Sequence, residues 1–488
     1  MRWPDHAIWW QVYPLGFTGA FPPHPAAGEG ESTPVRTPGR GRTLTTLIPW
    51  LDYVVELGCS GLLLGPLFKS HTHGYDTIDY FKIDPRLGTE DDFNELVSAA
   101  RQRGLRVVLD GVFNHVGQGF APLRLAQSGG PDAAGDGADS ADIGDAARWF
   151  RPGFETFEGH GDLVVLNHDE PRVGDFVTEV MTHWLDRGID GWRLDAAYAV
   201  PPAFWRPVLA RVRERHPDAW FVGEMIHGEY AAYVEESTID SVTQYELWKA
   251  IWSSLNDGNF FELAWALERH EDYSARFLPL TFVGNHDVTR IASKLDDPDH
   301  VGQALAVLFA VAGTPSIYYG DEQAFRGVKE ERFGGDDAIR PEFPTSPAEL
   351  APWGLGTYRL HQELIAMRRR NPWLAHARTE VLTLTNTALA LRSTPREGVS
   401  AGAVLGASGA SGASGSGACV VALLNVGPEP FDFGDVAVAG AAGLTGTADA
   451  DADSGWAGIG PAAGAGVESG STPTGVVPAN SWGIWTRG

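Results

Sequence analysis

Short, strongly apolar runs alternate with longer amphipathic segments through the first three quarters of the chain, and this alternation constrains the fold more than any other feature. The runs are residues 8–12, 62–64, 107–109, 191–194, 220–222, 280–283 and 316–318. Helix-like segments lie between them, among them residues 93–103, 173–187, 203–216, 248–255 and 301–312. Strands buried on both faces read as continuous apolar runs, and parallel neighbours need a crossover helix. The pattern therefore predicts a parallel α/β architecture.

Seven or eight strand–helix units favour a closed (β/α)8 TIM barrel, and an open doubly wound sheet is the alternative. We assign residues 1–115 and 172–372 to this barrel. Residues 116–171 are rich in Gly, Asp and Ala and are too long for a βα loop, so they predict a small excursion domain after the third strand. Residues 373–488 predict a C-terminal antiparallel β-sandwich domain with strands at 388–392, 419–424 and 481–486, interrupted by a flexible Gly/Ala/Ser loop at 406–415.

Charge and hydropathy exclude several classes of partner. The chain has 37 Lys and Arg against 63 Asp and Glu, a formal net charge of −26. This surplus repels phosphate backbones and anionic lipid headgroups, so we expect no nucleic-acid and no membrane partner. No run of 18 apolar residues is present, and the N-terminus lacks the apolar stretch of a secretion signal, so we expect a cytoplasmic protein. The 17 Trp, 12 Tyr and 23 Phe suit stacking on a neutral ring-shaped ligand, although most aromatic residues belong to cores.

Polar side chains follow four of the predicted strands, at the ends where eightfold barrels carry their reactive groups. The set comprises Asp110, Asn114, His115, Arg193, Asp195, Glu224, Asn285, His286 and Asp287. Any one of them could be a structural hydrogen bonder, but carboxylates and imidazoles converging on one mouth indicate an enzyme. Arg193 and Asp195 are two residues apart on a strand and share a face, so the guanidinium is predicted to lower the carboxylate pKa.

This set suits acid/base and carboxylate-nucleophile chemistry. The sequence has no Gly-x-Ser-x-Gly elbow and no phosphate-binding Gly-x-x-x-x-Gly-Lys stretch, so acyl transfer and ATP chemistry lose support. Glycoside hydrolysis needs a general acid with a raised pKa, a second, ionised carboxylate, and hydrogen bonds to sugar hydroxyls. The strand-end residues supply all three requirements.

Four stretches resemble, in the right order, the signature regions of the alpha-amylase family of glycoside hydrolases (family 13). They are Asp110-Gly-Val-Phe-Asn114-His115, Gly191-Trp-Arg193-Leu-Asp195, Gly223-Glu224 and Asn285-His286-Asp287. The phrases Trp9-Trp-Gln-Val-Tyr-Pro14 and His73-Gly-Tyr75-Asp76-Thr-Ile-Asp-Tyr80 fit as well. The resemblance covers residues 7–372 and implies a barrel enzyme that cleaves α-glucosidic bonds with retention of configuration.

The resemblance also implies a role for each site residue. Asp195 would be the nucleophile that forms a covalent glycosyl-enzyme, Glu224 the general acid and base, and Asp287 the residue that binds ring hydroxyls of the distorted sugar. The implied substrate-binding residues also have separate roles. His115 and His286 would donate hydrogen bonds to the sugar, Arg193 would position Asp195, and Tyr75 would stack under the ring. Asp76 and Arg340 would be the pair closing the non-reducing side, and Trp248 would be among the acceptor-side aromatics. His115 and His286 as metal ligands are the alternative, but no HxxxH or HxH spacing supports it, so no metal residue is assigned.

Within the family, several stretches resemble the cyclomaltodextrinase, neopullulanase and maltogenic amylase branch. The chain departs from that branch at Tyr198 and Ala199, where Asn and Glu are usual, and at residues 163–167, where Met-Pro-Lys-Leu-Asn is usual. The first strand begins near residue 8, so the N-terminal β domain of the branch is expected to be absent, which leaves a homodimer open. Substrate selection would then fall to a group of aromatics, each of which by itself is more typical of a core than of a sugar platform: Trp149, Phe150, Phe154, Phe157, Tyr245 and Trp248.

We therefore expect a retaining hydrolase of α-1,4, and also α-1,6, bonds in small or cyclic maltooligosaccharides. The alternatives are a transglycosylase or isomerase that uses the same intermediate, and a non-catalytic sugar-binding or interaction protein on the same fold. No cofactor is expected to be required, while the resemblance leaves a structural calcium at Asn114 open. The aspartates Asp132, Asp136, Asp139, Asp142 and Asp145 could suggest a cation too, but they lack the calcium-loop pattern and are read as a solvated acidic loop.

Overall fold

The computed structural model describes residues 2–20, 42–128, 140–332, 334–396, 418–434, 456–463 and 475–487. Eight parallel strands are β1 (Trp9–Val12), β2 (Gly61–Leu64), β5 (Arg106–Gly111), β8 (Gly191–Leu194), β9 (Trp220–Gly223), β10 (Ser241–Val242), β11 (Leu280–Phe282) and β12 (Thr314–Tyr318). They pair in the order β10-β9-β8-β5-β2-β1-β12-β11, and a parallel bridge from Thr243 to Leu280 joins the two outer strands. The predicted barrel is thereby confirmed over the open sheet.

Large side chains fill the barrel interior beneath the carboxyl ends of its strands. Trp9, Leu63, Val108, Val222 and Leu280 belong to one buried cluster inside the strands, together with Trp220. The rings of Trp9 and Trp220 stack with centroids 5.2 Å apart. Because side chains two residues apart on a strand share a face, the next inward positions are Gln11, Asp110 and Glu224. The core thus closes the bottom of the barrel and directs polar groups to the carboxyl end of the strands.

Helices cover the outside of the barrel: α1 (Pro14–Phe17), α2 (Leu51–Leu57), α3 (Glu90–Gln102), α6 (Pro171–Asp186), α7 (Pro202–Arg215), α8 (Tyr230–Ser237), α9 (Tyr245–Asp257), α10 (Phe261–Ser274), α11 (Ile291–Lys294), α12 (His300–Ala310) and α13 (Leu355–Arg370). The start of α3 shows how sequence sets these bounds. The Asp92 carboxylate accepts the Thr89 backbone N–H at 2.7 Å, and the Asp92 N–H donates to the Thr89 hydroxyl at 3.3 Å. This capping box begins the helix three residues before the predicted position, at Glu90 rather than Phe93.

Two excursions rise beside the mouth. The first is the antiparallel pair β3 (Phe68–Ser70) and β4 (Thr77–Ile83), which carries Tyr75 and Asp76 in its connection. The second, between β5 and β8, contains β6 (His115–Gly117), α4 (Ala121–Gln127), α5 (Ser140–Ala147) and β7 (Leu163–Val165), with His115 paired to Val165. Of the spaced aspartates, Asp132, Asp136 and Asp139 lie outside the described residues, and Asp145 is paired with Arg172.

The C-terminal region forms a five-stranded antiparallel sheet, in the order β13-β14-β15-β19-β17, and a two-stranded β16-β18 ribbon. Its strands are β13 (Ala377–Leu384), β14 (Ala388–Pro395), β15 (Cys419–Asn425), β16 (Phe431–Asp432), β17 (Trp456–Ile459), β18 (Val476–Val477) and β19 (Ser481–Arg487). One face shares a core with the barrel through Leu424, Trp482 and Ile484, and the other packs Val421 and Leu423 against Phe433 and Val477 of the ribbon. The predicted antiparallel domain is confirmed, and the predicted loop at 406–415 lies outside the described residues.

The sixth barrel strand, β10, has no counterpart among the apolar runs of the sequence. It has only two residues, Ser241 and Val242, and one of them is polar. Both are buried, and the Ser241 hydroxyl donates to the Leu278 carbonyl at 2.6 Å, which satisfies it inside the wall. Separately, within the described residues no helix combines the length and apolar composition needed to cross a bilayer.

Candidate active site

One buried guanidinium organises the carboxylates at the mouth. Arg193 points inward from β8 and is 3% exposed. Its Nη1 donates to both oxygens of Asp110, at 2.8 and 2.7 Å, and to Asp195 Oδ1 at 2.9 Å. Its Nη2 lies 2.8 Å from Glu224 Oε1 and 4.0 Å from Asp287 Oδ2. The polar ends of four strands therefore meet on one cation, as the sequence predicts.

Burial dominates the ionisation of this cluster. It raises the pKa of Asp195 to about 7 and that of Asp110 to about 6, in both cases against the opposing effect of Arg193. Burial also raises the pKa of Glu224, and the charges of Asp195 and Asp287 add to that effect. Arg193 lowers the pKa of Asp195, as predicted, but burial outweighs this effect, and the charges of Asp110 and Asp287 add to the rise.

Glu224 is held by both of its oxygens. Oε1 faces Arg193, and Oε2 accepts the backbone N–H of Ala196 at 2.9 Å. Ala196 follows the Asp195 position directly and has φ +44° and ψ +39°, in the left-handed region that a residue with a Cβ seldom adopts. The turn at the end of β8 thereby aims an N–H at the side chain at the end of β9. This hydrogen bond ties Glu224 to the residue that follows Asp195.

Asp287 lies in a second charge cluster beside the first. Its Oδ1 accepts from Arg340 Nη2 at 3.0 Å, and its Oδ2 accepts from His286 Nε2 at 2.9 Å. The Gln11 amide donates to His286 Nδ1 at 3.2 Å, so the ring carries its proton on Nε2. Burial opposes ionisation of Asp287, but His286 and Arg340 outweigh it and hold its pKa well below the usual range. Asp287 is therefore ionised while its neighbour Glu224 retains a proton more readily.

Tyr75 borders both clusters. Its hydroxyl donates to Asp110 Oδ2 at 3.1 Å and contacts His286 Nε2. Its ring lies parallel to that of His286, with centroids 5.6 Å apart, and Arg193 approaches the ring face to 5.9 Å. A flat aromatic face at the edge of the carboxylates suits stacking under a sugar ring, the role that the sequence predicts for it.

Asp76 and Arg340 are both buried near the mouth, but the structure does not join them as an ion pair. Asp76 Oδ2 accepts the backbone N–H and the hydroxyl of Thr72, both at 2.8 Å. Arg340 contacts Asp287 and, at 3.0 Å, Asp336 Oδ2 instead. Asp76 thus fixes the loop that carries Tyr75, and Arg340 fixes Asp287, while their closure of the non-reducing side of the site stays a prediction.

His115 is fully buried beside Tyr75. Its Nε2 donates to the Tyr75 carbonyl at 3.1 Å, and the Asn114 amide donates to its Nδ1 at 3.1 Å. Burial lowers the pKa of His115 to about 3, so the ring is neutral. In this arrangement His115 positions the platform residue, while its predicted hydrogen bond to the sugar stays a prediction.

The aromatic residues predicted to select the substrate fall into two groups. Trp149, Phe150 and Phe154 pack within the excursion, with Trp149 6.2 Å from Phe120 and Phe150 5.9 Å from Phe154 by ring centroids. Phe157 instead stacks on the ring of His115 at 4.8 Å.

Tyr245 and Trp248 lie on the other side of the mouth. The Tyr245 hydroxyl accepts from Asn285 Nδ2 at 2.8 Å. Trp248 is half-buried against Tyr245 and Phe282, with ring centroids 5.7 and 6.3 Å away. Phe157 and Tyr245 thus contact residues of the site and Trp248 packs against Tyr245, whereas Trp149, Phe150 and Phe154 belong to a core. Binding of the substrate by Trp248 stays a prediction.

Four residues at the mouth are not singled out from the sequence: Gln11, Tyr13, Glu158 and Asp336. A glutamine inside an apolar strand is a signal for Gln11, and the i,i+4 spacing to Arg340 is a signal for Asp336. Tyr13 lies 6.1 Å from His286 and under Arg340, whose Cζ is 4.6 Å from the ring centroid. Glu158 has no local signal because its partner is 40 residues away.

The calcium hypothesis rests on Asn114, whose Oδ1 is buried and has no hydrogen-bond partner. An orphaned amide oxygen suits a hard cation, but calcium takes six to eight oxygens. Among the described residues, no group of three or more His, Cys, Asp or Glu side chains is placed to hold a metal ion. Side chains of these four types therefore define no calcium site among the described residues, and the calcium hypothesis stays a prediction.

The chain is similar to known proteins over most of its length. A model of the alpha-amylase catalytic domain matches residues 17–136 and 156–349. The maltogenic alpha-amylase of Bacillus acidopullulyticus is 30% identical over 398 residues, 77% of this chain and 64% of that protein. A cyclomaltodextrinase from a Bacillus species is 32% identical over 350 residues, 67% of this chain and 60% of that protein. The chain thus spans less than two thirds of the length of these relatives.

Solved structures match over a greater share of their length. The cyclic alpha-maltosyl-(1→6)-maltose hydrolase of Arthrobacter globiformis, in complex with maltose, is 25% identical with a TM-score of 0.73, and the match covers 99% of both chains. A structure of a cyclomaltodextrinase is 26% identical with a TM-score of 0.70, over 88% of this chain and 71% of that one.

Proposed function

The chain belongs to the alpha-amylase family of glycoside hydrolases, and from that premise we propose that it is a retaining hydrolase of small or cyclic maltooligosaccharides. The observation that carries the proposal is the contact of Asp195 and Glu224 with neighbouring nitrogens of one guanidinium, at 2.9 and 2.8 Å. Retaining enzymes need two carboxyl groups about 5–5.5 Å apart, which is closer than the spacing of inverting enzymes. Arg193 holds the pair side by side, as that chemistry requires.

In the first step, an Asp195 carboxylate oxygen attacks the anomeric carbon, and the bond from that carbon to the leaving oxygen breaks. Glu224 gives its proton to the leaving oxygen, which departs as a sugar hydroxyl. In the second step, Glu224 takes a proton from water, the water oxygen bonds to the anomeric carbon, and the Asp195 ester bond breaks. The raised pKa of Glu224 suits the proton donor, and the hydrogen bond from Arg193 favours the ionised form of Asp195.

Asp287 stabilises the positive charge that develops on the sugar ring and accepts hydrogen bonds from its hydroxyls. The Arg340 guanidinium bonds one oxygen of Asp287 and the His286 Nε2–H bonds the other, and together they keep the carboxylate ionised. Tyr75 supplies the face under the ring, and Gln11 holds the His286 tautomer. Together these residues form the side of the site that holds the sugar destined for the covalent intermediate.

The choice of substrate is supported by the relatives. The similar proteins are named maltogenic amylase, cyclomaltodextrinase and neopullulanase, and one solved relative acts on a cyclic maltoside with a 1→6 linkage. We therefore propose α-1,4 and also α-1,6 cleavage. Product chromatography with maltotetraose, β-cyclodextrin, pullulan and soluble starch tests this, with the small and cyclic substrates expected to be cleaved fastest. Starch as the best substrate by a wide margin would refute the branch assignment.

Retention of configuration has its own test. Proton NMR of the first product formed should show the α anomer, before mutarotation mixes the two forms. A β anomer as the first product would mean that water attacks directly, and Asp195 would then not be the nucleophile.

A second candidate is a transglycosylase or isomerase that uses the same intermediate with a sugar hydroxyl in place of water. A 4-alpha-glucanotransferase of Thermotoga neapolitana is 29% identical over 323 residues, which cover 61% of this chain and 70% of that protein. The ratio of transfer to hydrolysis at high maltotriose concentration decides between the two. A non-catalytic sugar-binding or interaction protein is disfavoured by the intact set Asp195, Glu224 and Asp287.

We also propose a cytoplasmic location, which is supported by the similarity to an intracellular maltogenic amylase of Bacillus subtilis, 29% identical over 357 residues. A homodimer stays a prediction, and light scattering on the purified chain tests it.

A further inference from the structure

One hydrogen bond joins the excursion to the barrel across the mouth. The Tyr198 hydroxyl, from the turn after β8, donates to Glu158 Oε1, in the excursion, at 2.8 Å. The two residues are 40 positions apart in the chain, one in the excursion and one in the turn after β8. We call this contact the Glu158–Tyr198 bridge.

The bridge lies on the side of the site from which the leaving group departs. The Tyr198 backbone N–H donates to the Glu224 carbonyl at 3.2 Å, so Tyr198 adjoins the general acid. Its ring lies 5.2 Å from that of His227, which also follows the Glu224 strand. Asp287 instead pairs with Arg340 and His286, in the cluster where the proposed mechanism holds the sugar of the covalent intermediate. A group that receives a proton from Glu224 therefore leaves past Tyr198.

The barrel end of the bridge is rigid. The short turn of residues 197–199 is fixed by the buried Tyr233 hydroxyl, which donates to the carbonyls of Ala197 and Val200. That hydroxyl in turn accepts from Trp205 Nε1 at 3.0 Å. Tyr198 thus projects from a turn held by buried hydrogen bonds, and its ring is half-buried while its hydroxyl reaches Glu158 of the excursion.

The excursion end is exposed and strained. Glu158 has φ +49° and ψ +30°, a left-handed conformation that a residue with a Cβ adopts only when its surroundings require it. The preceding Phe157 stacks on His115 with centroids 4.8 Å apart, which anchors this turn over the site. The Phe157 and Tyr198 rings are 6.4 Å apart, so the aromatic faces continue from His115 to His227 beneath the bridge.

We propose that the Glu158–Tyr198 bridge closes the leaving-group end of the cleft and thereby restricts the enzyme to short leaving groups. This inference rests on the proposed glucan hydrolase function and deepens it by naming what limits substrate length. A long linear chain must pass the bridge, and so must break it, whereas a leaving group of one or a few glucose units fits beneath it. The bridge is exposed and consists of one charge-assisted hydrogen bond, so it slows long substrates without excluding them.

The test compares kcat/KM for amylose and for maltotriose in the full-length enzyme. Tyr198→Phe removes only the hydroxyl, Glu158→Ala removes the acceptor, and Glu158→Gln keeps a weaker, uncharged acceptor. We expect the amylose-to-maltotriose ratio to rise about fivefold in the first two variants, as loss of one such bond implies, and less in the third. The double variant should equal either single variant, because both remove the same contact. Asp162→Asn is the control: it changes one exposed charge on the same segment and should leave the ratio as it is.

The outcomes separate the two proposals. If wild type cleaves maltotriose but the ratio stays within about twofold in both single variants, or their effects add in the double variant, the bridge does not limit substrate length. A lower melting temperature with an unchanged ratio assigns the contact to stability alone and overturns the inference as well. The proposed function itself is overturned if the wild type cleaves no α-glucan and calorimetry detects no binding of maltotriose to the Asp195→Asn variant.

Discussion

Replacing Asp110 by Asn should shift the pH dependence of catalysis to lower pH. Asp110 touches no part of the predicted reaction directly, but it shares Arg193 with the nucleophile. Burial raises the pKa of Asp110 to about 6, below the value of about 7 for Asp195, so Asp110 is largely ionised when Asp195 titrates. Its negative charge then opposes ionisation of Asp195. Removing that charge should lower the pKa of the nucleophile.

The structure bounds the size of the shift. Oxygens of Asp110 and Asp195 lie within 2.9 Å of the same Nη1 atom, so they are no more than about 6 Å apart. At that distance and an effective dielectric constant of about 20, two unit charges repel by about 3 kcal/mol, or about two pKa units. Asparagine keeps the shape and one acceptor for Arg193. We therefore expect the acid limb of the profile to move down by about one to two pH units.

The assay is kcat/KM for maltotriose between about pH 4 and pH 9, since this parameter reports the essential groups of the free enzyme. The acid limb belongs to the group that must be ionised, and the alkaline limb to Glu224, which must be protonated. The matched control is Asp190→Asn, at the opposite end of β8, where Asp190 pairs with Arg106 at 2.6 Å. That variant should leave both limbs in place.

Two results would refute the reasoning. An acid limb that stays within about 0.3 pH units in a folded, active Asp110→Asn variant would mean that Asp110 does not set the nucleophile pKa. An upward shift would mean that Asp110 acts mainly by placing Arg193, and that the hydrogen bond to Asp195 is lost with it.

The other predictions concern chemistry, metal and stability. Asp195→Asn should lower kcat by several orders of magnitude on every substrate. Glu224→Gln should lower kcat far less on a nitrophenyl glycoside, because that leaving group needs no proton, and equal losses of kcat would contradict the acid role. EDTA should leave turnover unchanged. A structural ion would instead be established if EDTA lowers the melting temperature, if added calcium reverses that fall, and if the Asn114→Ala variant does not show it. Trp482→Ala should lower the free energy of unfolding by about 3–5 kcal/mol, since its ring is 4% exposed in the core shared by barrel and C-terminal sheet; a small change in chemical denaturation would contradict a shared core.

Much of the fold could be predicted because most strands are continuous apolar runs with polar residues directly after them. Asp195 and Glu224 follow β8 and β9 without a gap, so strand ends and site residues are found together. The β10 strand could not be predicted in this way. Its two residues carry no periodicity, and the neighbouring strands, rather than its own composition, place Ser241 and Val242 in the barrel wall.

The candidate site could be predicted residue by residue where a motif carries it, but its contacts could not. Asp76 and Arg340 are both buried at the mouth, yet a local turn at Thr72 captures one and Asp287 captures the other. The partner of Tyr198 lies 40 residues away on a non-repetitive turn, so no spacing rule reveals it. Local sequence patterns specify which groups reach the mouth, whereas tertiary packing decides which of them touch.

The charge balance of the site follows from how its cations are divided. Arg193 alone faces Asp110, Asp195 and Glu224, so three buried carboxylates compete for one positive charge and cannot all ionise without cost. Asp287 lies farther from Arg193, at 4.0 Å, and has its own closer partners in Arg340 and His286, so it depends least on the shared cation. The proton is therefore retained on the Arg193 side, where Glu224 must deliver it, and the negative charge is fixed on the Asp287 side, where the sugar becomes positive. A second cation beside Arg193 would remove this asymmetry, and with it the raised pKa that the proton donor needs.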